Sequence, residues 1–217
     1  MVPRLILPPA HNVTAAVADA IEEALRMFRA SLDAAVVDPP RPEAFLAAST
    51  AFQSAADELA LQLGVKGADN PDDFKQAWWF NLWSAGMAST NITAENIRRQ
   101  LECLNPSGLA SQLALPFELL SDRSELERSL GLAVESVLKE LWFFYSDTTL
   151  EGTKLNSRAQ MYNAIDWSFG AGCVFSALPN RARLSGAENE DAEYQLWRYG
   201  IYRLVLQLLG YQPADRS

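Results

Sequence analysis

Apolar residues recur every three or four positions through most of this chain, which is the spacing of a buried helical stripe. The clearest stripe precedes a proline-rich break at residues 38–42 and consists of Val17, Ile21, Leu25, Phe28 and Leu32. Asn12 or Thr14 is expected to cap this helix, because short polar side chains accept the free amides of a first turn. The same spacing predicts further helices at about 42–63, 93–104, 121–145, 157–178 and 187–209. Since no segment alternates convincingly as a strand does, the pattern predicts an all-α fold.

Residues 74–87 follow a different pattern, because their large apolar side chains point to nearly all sides of a helix. This segment holds three of the six tryptophans, Trp78, Trp79 and Trp83. At about 100° per residue, its few polar residues are spread around the helix and do not share one face. A helix that is apolar all round lies inside a protein. We therefore predict a single-domain bundle of about seven or eight helices around a central Trp-rich helix at about 71–88.

The ends and connections of the chain bear on its domain organisation. Pro3, Pro8 and Pro9 prevent a helix at the start, so residues 1–11 are expected to form an extended arm. Neither a repeat nor a long linker interrupts the remainder, and residues 12–217 are expected to form one helical domain. The first residues are also too short and too proline-broken for a signal peptide, which favours a cytoplasmic location.

The composition narrows the classes of partner. The net charge of −9 opposes binding to nucleic acid and to anionic membrane surfaces, and it favours a basic protein partner if the acidic residues cluster. No uncharged apolar run approaches the length of a membrane span. The two cysteines, Cys103 and Cys173, lie in apolar helical settings, and we expect both to be reduced core residues.

The residues that most often carry catalysis are scarce in this chain. Its single histidine, His11, lies in the proline-rich arm, so histidine-based metal sites, triads and haem ligation lack their ligands. The phosphate-binding and nucleophile-elbow glycine motifs are absent. Asp69, Asp72 and Asp73 do not have the spacing of an aspartate-rich metal motif, and Pro71 places them at a helix start. The sequence therefore predicts neither a metal site nor a cofactor, and it gives no positive evidence for an enzyme.

A first candidate site is a pocket lined by aromatic and amide side chains. Its members would be Trp78, Asn81, Trp83, Asn163, Asp166 and Trp167. Asn163 and Asp166 lie three residues apart and therefore share one side of their predicted helix. Such a pocket suits a small apolar ligand in a sensor or carrier. In the structural alternative, these polar groups tie helices together or pair with Arg198 and Arg203.

A second candidate is an acidic run at the start of the last predicted helix, formed by Glu188, Glu190, Asp191 and Glu193. The helix dipole favours negative charge there, so a solvated first turn explains these residues. The functional alternative is a docking surface for a basic protein. We take a non-catalytic interaction protein as the leading hypothesis: a subunit, an adaptor, or an immunity-type neutraliser of a basic partner such as a toxin. The apolar-ligand pocket is the alternative, and an enzyme using Asp166 or Glu140 as a base ranks third.

Overall fold

A computed structural model of the chain describes residues 15–63, 82, 85–105, 123–146 and 190–213. Every regular element in these ranges is an α-helix, which confirms the all-α prediction for this part of the chain. Five helices have described bounds: α1 (Ala15–Val36), α2 (Pro42–Gln62), α3 (Ala94–Cys103), α4 (Arg123–Ser146) and α5 (Glu190–Leu208). Residues 85–88 are also helical.

Helices α1 and α2 form a hairpin around the proline-rich break. Pro42 begins α2, where its missing amide and fixed φ fit the first helical turn. The inner faces are those that the apolar spacing predicts, and Phe28 of α1 meets Phe52 of α2 edge to face with ring centroids 5.1 Å apart. With a connection of only a few residues, this contact fixes the two helices as antiparallel. The start of α1 is therefore level with the end of α2.

The segment that precedes α3 approaches α1 closely at Gly86. A β-carbon built on Gly86 would lie 2.2 Å from the nearest ring carbon of Phe28, whose side chain is only 2% exposed. Because Phe28 is already held against Phe52, the ring has little room to move. Glycine is therefore required by close packing at this position.

Helix α5 is the most deeply enclosed of the described helices. All ten residues from 197 to 206 are buried, so no side of the helix over nearly three turns faces water. It packs against α1, α2 and α4, and it therefore lies between the hairpin and α4. Gly210 ends this run with φ of +65°, the left-handed conformation in which glycine commonly terminates helices.

Helix α3 packs against α4 and buries a single narrow stripe. Thr93 caps it at the predicted start of the helix, with the Thr93 hydroxyl accepting the Asn96 amide at 3.2 Å. Ile97 is fully buried, whereas Cys103 is exposed, and the prediction of a core cysteine at that position is wrong. The physical reason is helical phase, because six residues place Cys103 about 240° around the helix from Ile97.

Several architectural predictions concern residues outside the described ranges. Most of the Trp-rich segment, including its three tryptophans, lies outside them, although its Leu82 and Met87 are fully buried. The central position of that segment, the total of seven or eight helices, the extended arm and the single-domain organisation stay predictions. Cys173 and His11 also lie outside the described residues.

Candidate functional site

Two arginines that sequence analysis treated only as possible pairing partners lie within the enclosed helix α5. Arg203 is 4% exposed and reaches the C-terminal end of α1. One terminal nitrogen donates to the Ala35 carbonyl at 3.2 Å and to the Val37 carbonyl at 2.6 Å. The other lies 3.5 Å from the carboxylate of Asp38, whose side chain is 86% exposed. Arg203 therefore caps α1 from inside the core, where the negative end of the helix dipole favours a cation.

The start of α2 is held by the same face of α5. The Arg41 backbone amide, which precedes the first turn, donates to the Tyr199 hydroxyl at 3.2 Å. Burial raises the pKa of Tyr199, against the opposing effects of the Arg203 charge and the Arg41 hydrogen bond. Together, Arg203 and Tyr199 fasten both sides of the α1–α2 connection to the buried helix.

Arg198 lies in a different environment on the same helix. It is 8% exposed, and its guanidinium donates to the Ser49 hydroxyl at 2.9 Å. The guanidinium carbon lies 5.8 Å from the ring centroid of Phe45 and 5.7 Å from that of Tyr202. Within the described ranges, no carboxylate lies within 4.0 Å of Arg198. Among the described residues, the charge of Arg198 is therefore balanced only by one hydroxyl and two aromatic faces.

The chain beyond α5 is clasped by the segment that leads into α3. Asn91 makes two bonds with the tail: its amide nitrogen donates to the Gly210 carbonyl at 2.7 Å, and its amide oxygen accepts the Gln212 backbone N–H at 3.0 Å. Asn96 adds a longer bond, 3.4 Å, to the Leu209 carbonyl. The carbonyls at the end of α5 thus find side-chain donors, as helix ends require.

Tyr211 fixes the same tail to α1. Its hydroxyl donates to the Asp33 carboxylate at 2.7 Å, and its side chain is 6% exposed. Burial, followed by the hydrogen bond to Asp33 and the negative charge of that carboxylate, raises the pKa of Tyr211 well above its usual range. Arg29, one turn before Asp33, donates to the Ser89 carbonyl at 2.6 Å. These contacts join α1, the turn before α3 and the C-terminal tail.

The pocket predicted from the sequence falls outside the described residues. This applies to all of its members: Trp78, Asn81, Trp83, Asn163, Asp166 and Trp167. Whether they converge stays a prediction, as does any pairing of Asn163 or Asp166 with the arginines of α5. The side chain of Glu140, a candidate base, is likewise outside the described part.

The acidic run is divided by the structure. Glu190 and Asp191 are the first residues of α5, as the helix-start interpretation predicts, while Glu188 lies outside the described ranges. Glu193 is only 5% exposed, which does not favour a place on a docking surface, and the partner-binding role of the run stays a prediction. The reason for this burial is again helical phase, because Glu193 lies one turn before Trp197 on a side of α5 that is buried.

A second group of acidic residues lies at the free end of the α1–α2 hairpin, opposite its connection. Between residues 15 and 63 there are eight acidic residues and three arginines, a net charge of −5 within the total of −9. The antiparallel register brings the start of α1 level with the end of α2, and the exposed acidic residues at this end are Asp19, Glu22, Asp57 and Glu58. Leu61, which lies one turn after Asp57 on α2, is 58% exposed.

Comparisons with known proteins identify no family for this chain. No protein-family model, curated protein or solved structure matches the chain. The described ranges contain no group of three or more histidine, cysteine, aspartate or glutamate residues arranged to hold a metal ion. Among the same residues, no helix combines the length and the apolar character that crossing a bilayer requires.

Proposed function

We propose that this chain is a non-catalytic interaction protein that binds a basic protein partner, and that the free end of the α1–α2 hairpin is its docking surface. The observation that carries the proposal is the combination of four exposed carboxylates with an exposed leucine at this end. Protein interfaces usually combine an apolar centre with a polar rim.

The charge distribution supports this end of the hairpin over other described surfaces. On α3, Arg98 lies 2.8 Å from Glu95 and 2.8 Å from Glu102, which offsets part of the acidic charge there. On α4, Lys139 lies 2.6 Å from Glu135. The hairpin has an ion pair of its own, between Arg26 and Glu23, but its eight acidic residues still outnumber its three arginines. It is therefore the described region with the strongest attraction for a cationic surface.

The physical consequence is an interaction that depends on salt. Complementary charges at the rim of an interface mainly accelerate association and select the partner, while a buried apolar anchor supplies more of the affinity. The Debye length falls to about 3 Å at 1 M salt, so the carboxylates would no longer attract a distant partner. Binding should weaken strongly with added salt, and truncation of Leu61 should mainly accelerate dissociation.

The test is affinity capture from extracts of the native host with two matched variants. The hairpin variant carries Asp19→Asn, Glu22→Gln, Asp57→Asn and Glu58→Gln. The control variant carries Glu43→Gln, Glu95→Gln, Glu102→Gln and Glu135→Gln. Each variant loses four negative charges, so both change the net charge from −9 to −5.

Support requires a partner that the wild type and the control capture at low salt, and that the hairpin variant and high salt both lose. Equal capture by the two variants would reject the hairpin as the docking surface. A third variant, with Glu188→Gln, Glu190→Gln and Asp191→Asn, tests the acidic run at the start of α5. If that variant alone loses the partner, docking belongs to α5.

A further inference from the structure

Among the described residues, Arg198 has fewer partners than a charged group inside a protein usually has. Arg203 shows what a complete environment looks like on the same helix, with two backbone carbonyls and a carboxylate around its terminal nitrogens. Arg198 has one hydroxyl partner, that of Ser49. In both side chains the Nε–H is buried without a hydrogen-bond partner, so the difference lies in the charge and carbonyl dipoles around the guanidinium.

The aromatic contacts of Arg198 do not replace an anion. A cation over an aromatic face gains less than the effective cost of removing an ion from water. A hydrogen bond to a neutral group such as the Ser49 hydroxyl adds only a small net contribution. The described contacts therefore leave a deficit that an anionic oxygen group would remove.

The geometry also leaves the guanidinium within reach of a ligand. Arg198, Ser49 and Tyr202 keep 8%, 5% and 8% of their surfaces exposed, whereas Phe45 and Tyr199 beside them are fully buried. The charged group thus lies just beneath the surface. The rings of Phe45 and Tyr202 lie on one side of the guanidinium, because their centroids are 5.1 Å from each other and 5.8 and 5.7 Å from the guanidinium carbon. The other side is therefore not covered by these rings, and the edge of a guanidinium is the part that binds a carboxylate or a phosphate in a bidentate manner.

We propose that Arg198, with Ser49 beside it, forms a subsite for one anionic oxygen group, a carboxylate or a phosphate, of a small ligand. Phe45 and Tyr202 pack against the guanidinium from one side, and the Ser49 hydroxyl accepts from one of its nitrogens, so the group is positioned before the anion arrives. This site is independent of the acidic hairpin surface, because it selects an anion whereas that surface selects a cation. Failure of either proposal leaves the other unchanged.

The experiment uses two probes, inorganic phosphate and acetate, each compared with sodium chloride at equal ionic strength. The midpoint of thermal unfolding of the full chain should rise with the probe and saturate, since a ligand that binds only the folded state stabilises it by mass action. The rise should disappear in Arg198→Met and persist in Arg98→Gln, which removes an exposed arginine. The probe with the larger rise distinguishes a phosphate site from a carboxylate site.

A second measurement reads the site directly in the wild-type chain. The Nε–H resonance of Arg198 in a ¹⁵N correlation spectrum is identified by its absence in Arg198→Lys, and it should shift during titration with the preferred probe. Equal thermal shifts in wild type and Arg198→Met would overturn the proposal. A resonance that does not move with either probe would also overturn it, whether or not Arg198→Met folds.

Discussion

Arg203 and Arg198 lie five residues apart on one buried helix, but different groups contact their two guanidinium groups. Arg203 meets the carbonyls that α1 leaves free at its end, so its burial satisfies groups that would otherwise lack donors. Arg198 meets the side of α2, where the backbone carbonyls are already used by the helix, and Ser49 is its hydrogen-bond partner among the described residues. A helix end offers free carbonyls to a buried cation, and the side of a helix does not.

The comparison extends to the groups around each arginine. The side of α5 that bears Arg203 continues into a tail whose polar groups have partners, through buried Tyr211 with Asp33 and through the exposed Asn91. The side that bears Arg198 packs against the aromatic rings of Phe45 and Tyr202. Stability should therefore depend strongly on the first set of polar groups and weakly on the second.

The largest loss of folding stability is expected for Arg203→Met. Removing the guanidinium leaves the Ala35 and Val37 carbonyls without their donor, and an unsatisfied buried group costs about 1–3 kcal/mol. We expect the free energy of unfolding, measured by urea denaturation, to fall by about 3 kcal/mol. The control is Asp38→Asn, which should cost less than about 1 kcal/mol because the carboxylate is 86% exposed. A larger loss from Asp38→Asn would mean that the ion pair, and not the helix cap, explains Arg203.

An intermediate loss is expected for Tyr211→Phe. A hydrogen bond to a charged group contributes about 1.5–3 kcal/mol, and Asp33 keeps some contact with water, so a loss near the lower value is expected at neutral pH. The variant should also alter the alkaline limb of the stability profile. The pKa of Tyr211 is raised in the folded state, so its contribution is complete below about pH 10, the ordinary value for tyrosine, and is lost as the pH rises beyond it.

The measurement is urea denaturation of both proteins between pH 7 and about pH 11. Wild type should lose stability above about pH 10 more steeply than Tyr211→Phe, so the two curves should converge. Tyr199 contributes in the same direction in both proteins, because burial also raises its pKa. Parallel curves would show that the Tyr211 phenol does not titrate differently in the folded and unfolded states.

A smaller loss is expected for Asn91→Ala, which removes both bonds of the clasp on an exposed side chain. The expected cost is about 1 kcal/mol, since water replaces part of each bond. Asn91→Asp is the informative companion, because it keeps the acceptor for the Gln212 amide and places a negative charge against the Gly210 carbonyl. Hydrogen exchange at Gln212 should accelerate in Asn91→Ala and remain slower in Asn91→Asp. Equal exchange in both variants would contradict a specific clasp.

The sequence predicted the helices of the described part closely, because their boundaries depend on local signals. Thr93 at a cap, Pro42 at a first turn and Gly210 at a stop each act through neighbouring backbone groups. The apolar spacing of residues 42–63 likewise matches their burial, with Phe45, Phe52, Ala56, Leu59 and Leu63 all buried. Periodicity alone determines which side of an amphipathic helix turns inward.

The sites were harder to predict because they depend on contacts between distant parts of the chain. Arg198 and Arg203 interrupt an otherwise apolar segment, and that interruption was the available signal, but their partners are more than 140 residues away. Glu193 looked like a surface acid because sequence position shows that a residue is near a helix start, not what covers it. Cys103 was misplaced for a simpler reason, since the phase of its helix relative to Ile97 was sufficient to place it outside.

The smallest loss is expected for Arg198→Met combined with Ser49→Ala. Replacing both partners of a buried polar contact by apolar groups is often neutral, and replacing buried ion pairs by apolar groups has stabilised proteins by about 1–4 kcal/mol. Arg198→Met alone should be less stable than the double variant, because the Ser49 hydroxyl is then left without its donor. The measurement is a double-mutant cycle by urea denaturation in a chloride buffer free of phosphate and carboxylates. If the double variant loses as much stability as Arg203→Met, then Arg198 is a structural residue of the same kind as Arg203, and the contrast between the two arginines does not hold.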